Sequence, residues 1–153
     1  MFGLVADIER YPEFVPLCRT MRVRRRTQLG DREVVVAEMT VAYKLIQESF
    51  TSRVTLDRER LTILVEYLDG PFRRMENRWV FRTVADRAGE DAGGAGQAGA
   101  GQAVCDVEFF ISYEFRSRTL GLLMGTMFDT AFRRFASAFE HRADAVFGSA
   151  RTA

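Results

Sequence analysis

The fold is decided by residues 105–148, which read CDVEFFISYEFRSRTLGLLMGTMFDTAFRRFASAFEHRADAVFG. Apolar and polar residues alternate at the start of this stretch, and a period of two predicts a β-strand with one buried face. Further on, apolar residues recur every three or four positions up to Gly148, after Ser117 or Thr119, either of which can cap a helix. The stretch therefore predicts a helix over about 119–147, roughly 42 Å long at 1.5 Å per residue.

Five segments upstream alternate in the same way and also predict strands. Gly30 and Gly70 mark turns between them. A short helix over 1–7 and a helical turn over 11–14, with Pro12 at its first position, are predicted before the first strand. Consecutive strands followed by one long helix indicate an α+β fold, a curved antiparallel sheet with the helix across its concave face. The predicted strands span 19–28, 32–43, 47–57, 61–68, 74–84 and 105–115.

Residues 86–102 interrupt this alternation and include the Gly- and Ala-rich stretch GEDAGGAGQAGAGQ. Such a sequence has no large side chains to bury. Because the strand pattern resumes directly after it, we expect a flexible hairpin insertion and not a linker between domains. The chain has 153 residues, 47% of them hydrophobic, which is enough for one core. We therefore expect residues 1–153 to form a single domain.

Composition and reactive residues argue against several classes of function. The net charge of +1 gives no bulk attraction to DNA, and no apolar run is long enough to span a bilayer. The start of the chain has no basic leader, so we expect a cytoplasmic protein. Cys18 and Cys105 lack the spacing of a disulfide framework or a zinc site. The one histidine, His141, is expected to be solvated, and we expect neither a catalytic nor a metal site.

Large apolar side chains dominate the surfaces that sheet and helix are predicted to bring together. A curved sheet and a helix crossing it often leave a gap, which predicts an apolar ligand pocket. The start of the helix, softened by Gly121 and Gly125, suits a lid or a contact with a membrane or a partner. The alternative, that the same aromatic side chains fill a dry core, stays open here. The expected lining is Tyr11, Phe14, Val15, Tyr67, Trp79, Phe81, Phe109, Tyr113, Met124, Met127, Phe128, Phe132 and Phe135.

A group of arginines marks the first predicted strand. By the period of two, Arg22, Arg24 and Arg26 share one face of that strand. A basic face of this kind suits the phosphates of RNA or the head groups of anionic lipids. The other interpretation is a solvated face on which the arginines pair with acidic neighbours.

Four motifs together carry a resemblance to a known family. They are LVADIERYPEFVPLC over 4–18, YLDGPFRRMENRWVF over 67–81, ISYEF over 111–115 and AFEHRADAVFG over 138–148. In this order they resemble the coenzyme Q-binding proteins, in the polyketide cyclase/dehydrase branch of the START superfamily. The resemblance implies a helix-grip fold with an apolar tunnel that binds ubiquinone or a related polyisoprenoid lipid. It implies a carrier or chaperone that supports respiratory electron transport, without enzymatic activity or a required cofactor, in transient contact with the inner face of the membrane.

The same resemblance leaves a second function open, because one branch of this family is described as a ribosome association toxin. Such a protein binds a ribosomal subunit and blocks subunit joining, a function that the face at Arg22, Arg24 and Arg26 would suit. Family members also usually begin with a strand before the helix that contains Met1 here. We expect either that this strand is encoded upstream or that the sheet has open edges that favour self-association.

Overall fold

A computed structural model describes residues 1–83 and 105–148 of the chain. The predicted insertion at 86–102 lies outside the described residues. The N-terminal part contains helix α1, Phe2–Ala6, and a 3-10 helix, Ile8–Glu13. The remaining elements are β1 Cys18–Leu29, β2 Arg32–Tyr43, β3 Ile46–Asp57, β4 Thr62–Asp69, β5 Phe72–Thr83, β6 Cys105–Phe115 and helix α2 Arg118–Phe147.

The six strands form one antiparallel sheet in which each strand pairs with its neighbours along the chain, in the order β1 to β6. This arrangement, with α2 following β6, confirms the predicted α+β class. The backbone N–H of Leu120 donates to Oγ of Ser117 at 3.2 Å, so Ser117 and not Thr119 caps the long helix. Its residues give a length of roughly 45 Å, enough to cross the sheet.

The two faces of the sheet differ because alternate residues of each strand point to opposite sides. On the concave face, cross-strand neighbours such as Leu56 and Ile63 are both almost fully buried. On the convex face, charged residues pair across strands, as in the 2.9 Å contact between Nε of Arg53 and Oε2 of Glu66. The concave face is therefore the one that needs a covering element.

Helix α2 provides that cover and contacts the sheet at both ends through aromatic rings. Near its C-terminal end, the ring of Phe139 lies 5.3 Å from Trp79 and 5.4 Å from Tyr11. Near its start, the ring of Phe128 lies 6.1 Å from Phe72. These contacts belong to two separate clusters of buried residues. Between the two clusters, the side chains of the sheet and of the helix leave a gap.

The predicted helical turn over 11–14 is wrong in its bounds, because the 3-10 helix already begins at Ile8 and holds Pro12 in its interior. The hydroxyl of Tyr11 explains the difference, since it reaches back and donates to the carbonyl oxygen of Val5 at 2.6 Å. That bond ties the 3-10 helix to α1. Burial raises the pKa of Tyr11 well above its usual range, so the hydroxyl keeps the proton that it donates.

Replacing Gly70 by alanine is expected to lower the free energy of unfolding by about 2 kcal/mol or more. Gly70 has φ of +140°, and a Cβ there would lie 2.9 Å from both Cα of Phe50 and the carbonyl oxygen of Ser49. The matched control is Gly125→Ala in α2, where a Cβ meets nothing within 4 Å. This replacement should raise the free energy of unfolding by about 0.5–1 kcal/mol. Urea unfolding of both variants measures the difference, and equal effects would contradict the close approach at Gly70.

Candidate functional site

A cavity lies between the concave face of the sheet and the middle of α2. It holds about 960 Å³ of space free of atoms, counted out to its opening, and about 100 Å³ of this accommodates the centre of a water-sized molecule. All six strands, α2 and the segment before β1 contribute to its wall. The polar side chains in the wall are Tyr11, Ser52, Asn77 and Tyr113.

The structure brings part of the predicted lining together around this cavity and places the rest elsewhere. The predicted residues that border it are Tyr11, Val15, Trp79, Tyr113, Phe128, Phe132 and Phe135. The predicted residues outside its wall are Phe14, Tyr67, Phe81, Phe109, Met124 and Met127. These six support the wall from behind or belong to the clusters on either side of it.

Three of these displaced residues lie around the end of the cavity where α2 is anchored by Phe139. The ring of Phe109 lies 4.3 Å from Trp79, which separates it from the cavity. The ring of Phe81 lies nearly parallel to Trp79, with the ring centroids 6.2 Å apart. Phe14 packs edge-on against Phe139 at 5.1 Å. Trp79 thus forms the cavity wall at this end, and the aromatic rings packed around it fix the position of its ring.

The other three displaced residues belong to the cluster at the start of α2. Met124 is fully buried there, and Met127 packs against the same cluster. The ring of Tyr67 lies edge-on to Phe72 at 5.6 Å. Side chains therefore fill the space between the sheet and the first two turns of the helix. On the helix, the cavity begins only at Phe128.

Several wall residues were missed by the sequence prediction although their strand phase was available. Met39 and Phe50 fall on the apolar side of the alternation in β2 and β3, and both border the cavity. Ser52 and Asn77 interrupt that apolar side with polar groups, on β3 and β5. A polar residue in the buried phase was the signal that could have identified them.

The hydroxyl of Tyr113 is turned away from the cavity, although its ring borders it. The hydroxyl donates to Oδ1 of Asp129 on α2 at 2.8 Å. Burial, with Asp129 as a second cause, raises the pKa of Tyr113 above its ordinary value, so the phenol stays protonated. Tyr113 therefore acts as a link between β6 and the helix rather than as a polar group for a ligand.

The cavity offers little reactive chemistry. In residues 1–83 and 105–148, no three His, Cys, Asp or Glu side chains come close enough together to hold a metal ion. Cys18 and Cys105 are free thiols, and burial raises the pKa of Cys18 to about 11, which keeps it protonated at neutral pH. His141 is exposed on α2. The described part of the wall supplies shape, apolar surface and a few neutral polar groups.

The predicted basic face is wrong at Arg26, because a β-bulge between Val23 and Arg25 changes the phase of β1. After the bulge, Arg25 lies opposite the outward-facing Val36, whereas Arg26 lies opposite Val35, a buried core residue. Arg26 pairs instead with two carboxylates near the 3-10 helix. Those carboxylates belong to Glu9 and Glu33.

The convex face of β1 therefore carries a different set of arginines. Arg22 lies opposite Glu38 in the register, and Arg24 makes the 2.9 Å ion pair with that carboxylate. Arg22 and Arg25 have no ion pair within the described parts of the chain. Arg24 is neutralised by Glu38, so Arg22 and Arg25 leave two positive charges without an ion pair on this surface.

The start of α2 exposes apolar side chains beside the second cluster. Leu122 and Leu123 are largely exposed, and so is Leu45 in the turn between β2 and β3. Ile46 and Leu120, their neighbours in sequence, pack against one cluster, so the turn and the helix start lie at the same end of the sheet. None of the helices in residues 1–83 and 105–148 is long and apolar enough to span a bilayer.

Comparison with known proteins gives relatives that include toxins and a coenzyme Q-binding protein. The chain is 29% identical over 148 residues to the ribosome association toxin RatA of Vibrio cholerae, covering 97% of this chain and 88% of that protein. It is 28% identical to the Escherichia coli K12 protein of the same name, covering 97% and 81%. It is 26% identical to the mitochondrial coenzyme Q-binding protein COQ10 homolog B of Xenopus laevis, covering 97% of this chain and 54% of that protein.

Solved structures and a family description agree on the fold. The 18 kDa protein CC1736 of Caulobacter crescentus is 32% identical with a TM-score of 0.69, covering 96% of this chain and 88% of that one. The ZhuI aromatase/cyclase of Streptomyces is 19% identical with a TM-score of 0.59, covering 97% and 83%, and shares the helix-grip architecture. The family model described as polyketide cyclase / dehydrase and lipid transport matches residues 1–140, and the chain belongs to that family.

Proposed function

We propose that the protein binds an isoprenoid quinone, ubiquinone or a related polyisoprenoid lipid, in the cavity under α2 and carries it in support of respiratory electron transport. The observation that carries this proposal is the cavity itself, whose wall is apolar apart from a few neutral groups. A concave pocket with a mainly apolar wall and few polar groups is typical of sites for apolar small molecules. The Xenopus relative, named as a coenzyme Q-binding protein, supports quinone as the ligand.

The wall suits a ligand with a flexible tail. Met21, Met39 and Met75 border the cavity, and unbranched methionine side chains adapt to irregular apolar shapes. The part that accommodates a water-sized molecule is only about 100 Å³, so a lipid enters by moving such side chains or the helix. The exposed leucines at 122 and 123 place an apolar surface beside the helix start, where contact with the inner face of a membrane would deliver the ligand.

The chain has a built-in reporter for this proposal, since Trp79 is its one tryptophan and borders the cavity. A quinone ring accepts an electron from an excited indole, so a short-tailed ubiquinone bound in the cavity is expected to quench most of the Trp79 emission in a saturable titration. The same titration of free N-acetyltryptophanamide and of urea-unfolded protein gives the unsaturable background. Quenching of the folded protein that only matches this background would overturn the proposal.

A second candidate function is association with a ribosomal subunit. The specific observations in its favour are the relatives named ribosome association toxin, which align over 97% of this chain, and the two unpaired arginines on the convex face of β1. Both arginines lack an ion pair in the described residues, so rRNA phosphates could approach them, and Glu38, which lies opposite Arg22, already pairs with Arg24. Under this function the contact surface lies on the opposite side of the sheet from the cavity.

Replacing Arg22 and Arg25 together by serine is expected to weaken binding to isolated ribosomal subunits and to reduce the slope of log affinity against log salt by about two, one per phosphate contact. The matched control is Arg53→Ser, also on the convex face but paired with Glu66. Cosedimentation at several salt concentrations measures both variants. A slope unchanged by the double replacement would contradict a ribosomal contact through this face.

A further inference from the structure

Two polar groups on the concave face are buried without a hydrogen-bond partner. They are the hydroxyl of Tyr67 on β4 and Oδ1 of Asn77 on β5. In the register of the sheet, Asn77 lies opposite Val65, two residues before Tyr67, so both side chains point to the same face on adjacent strands. Tyr67 lies opposite Ser52 of β3, a buried serine in the cavity wall. Polar groups thus lie on three neighbouring strands of an otherwise apolar surface, with Ser52 level with Tyr67 and Asn77 two residues further along.

Such groups are costly to keep unpaired, because burial removes their hydrogen bonds to water without replacement. Tyr113 shows the contrast, since its hydroxyl is satisfied by Asp129. The hydroxyl of Tyr67 and the amide oxygen of Asn77 make no such hydrogen bond. Phe72 packs on the ring of Tyr67, and Ile111 lies opposite Asn77 on β6. The wall therefore holds one unpaired amide oxygen, that of Asn77, and the unpaired hydroxyl of Tyr67 lies outside the wall on the adjacent strand.

We infer that Tyr67, Asn77 and Ser52 form a polar recognition site for a hydroxyl group on the ligand. The head of the ligand accepts a hydrogen bond from the phenol of Tyr67 and donates one to the amide oxygen of Asn77, with Ser52 beside them. The ligand class is an apolar body with one hydroxyl-bearing head, such as a phenol, a hydroquinone or a terpenoid alcohol. This inference rests on the proposed function, because it places the head of the reduced, hydroquinone form of that ligand in the same cavity.

The site is expected to distinguish ligands with a hydroxyl group from ligands of the same shape without one, through hydrogen bonding. A site that holds unpaired polar groups rejects a ligand without the matching group, since that ligand leaves them buried and unsatisfied. The pair 1-naphthol and 1-methylnaphthalene differs only by hydroxyl against methyl. Calorimetric titration of the wild-type protein is expected to give about tenfold tighter binding of 1-naphthol, the equivalent of one hydrogen bond.

The variants Tyr67→Phe and Asn77→Leu each remove one of the unpaired groups. Both variants are expected to lose most of the tenfold preference for 1-naphthol over 1-methylnaphthalene. Both should bind 1-methylnaphthalene at least as well as the wild type does. Both should also raise the urea midpoint of the ligand-free protein, because an unsatisfied buried group is lost. Tyr43→Phe, at an exposed tyrosine, is the matched control and should change neither quantity.

Three results would overturn the inference: no preference in the wild type, a preference that survives in both variants, or urea midpoints that fall in both. The last result would mean that ordered water satisfies these groups. The quinone titration followed by Trp79 is independent of this comparison. A protein that binds quinone but shows no hydroxyl preference refutes only the recognition site. A hydroxyl preference without saturable quinone quenching refutes only the proposed function.

Discussion

Replacing Trp79 by alanine is expected to lower the free energy of unfolding by about 3–5 kcal/mol, the usual range for removing a buried aromatic side chain. Trp79 is only 4% exposed. Its ring lies 4.3 Å from Phe109 on β6 and 5.3 Å from Phe139 on α2, so it joins the sheet to the helix. Its loss would open the cavity into the core and remove the ring contact between the sheet and Phe139 near the C-terminal end of the helix.

Urea unfolding followed by far-ultraviolet circular dichroism measures this change, since the variant no longer has a fluorescent tryptophan. The control is Phe110→Ala, an aromatic residue of β6 that is 52% exposed and lies over the guanidinium of Arg78 at 5.6 Å. Its loss should cost less than about 1 kcal/mol. Similar costs for the two variants would mean that α2 is not held to the sheet through Trp79.

The strands and the helix could be predicted from the sequence because each is encoded by local periodicity. The bounds of β2 are those predicted, and the long helix begins one residue before its predicted start. The bulge in β1 could not be predicted in this way, because Arg24, Arg25 and Arg26 give the pattern no apolar residue from which to read a change of phase. The same lack of a local signal explains the misplaced face at Arg26.

The cavity wall was predicted only in part, for a different reason. Strand phase shows which side chains point inwards, but it does not show the level at which α2 crosses them. Phe109 and Trp79 are cross-strand neighbours with rings 4.3 Å apart, yet only Trp79 borders the cavity. Asn77 was not among the predicted wall residues, although a polar residue in a buried phase is itself a sign of a site.

Replacing Ala131 by phenylalanine is expected to weaken quinone binding at least about tenfold, the effect of forcing a ring into space that the ligand needs. Ala131 lies on α2 between the contacts of Phe128 and Phe135 and borders the cavity. The free energy of unfolding should stay within about 1 kcal/mol of the wild type, because the new ring enters open space and not a filled core. Saturable quenching of Trp79 by a short-tailed ubiquinone measures the affinity.

The matched control is Ala136→Phe, which adds the same ring to an exposed position of the same helix and should leave quinone affinity unchanged. Ala131→Phe also separates the two candidate functions, since the cavity and the arginines on the convex face lie on opposite sides of the sheet. If the protein acts through ribosomal contact alone, cosedimentation with ribosomal subunits will be the same in both variants and in the wild type. If Ala131→Phe folds normally and still binds quinone as the wild type does, then the cavity under α2 is not the quinone site.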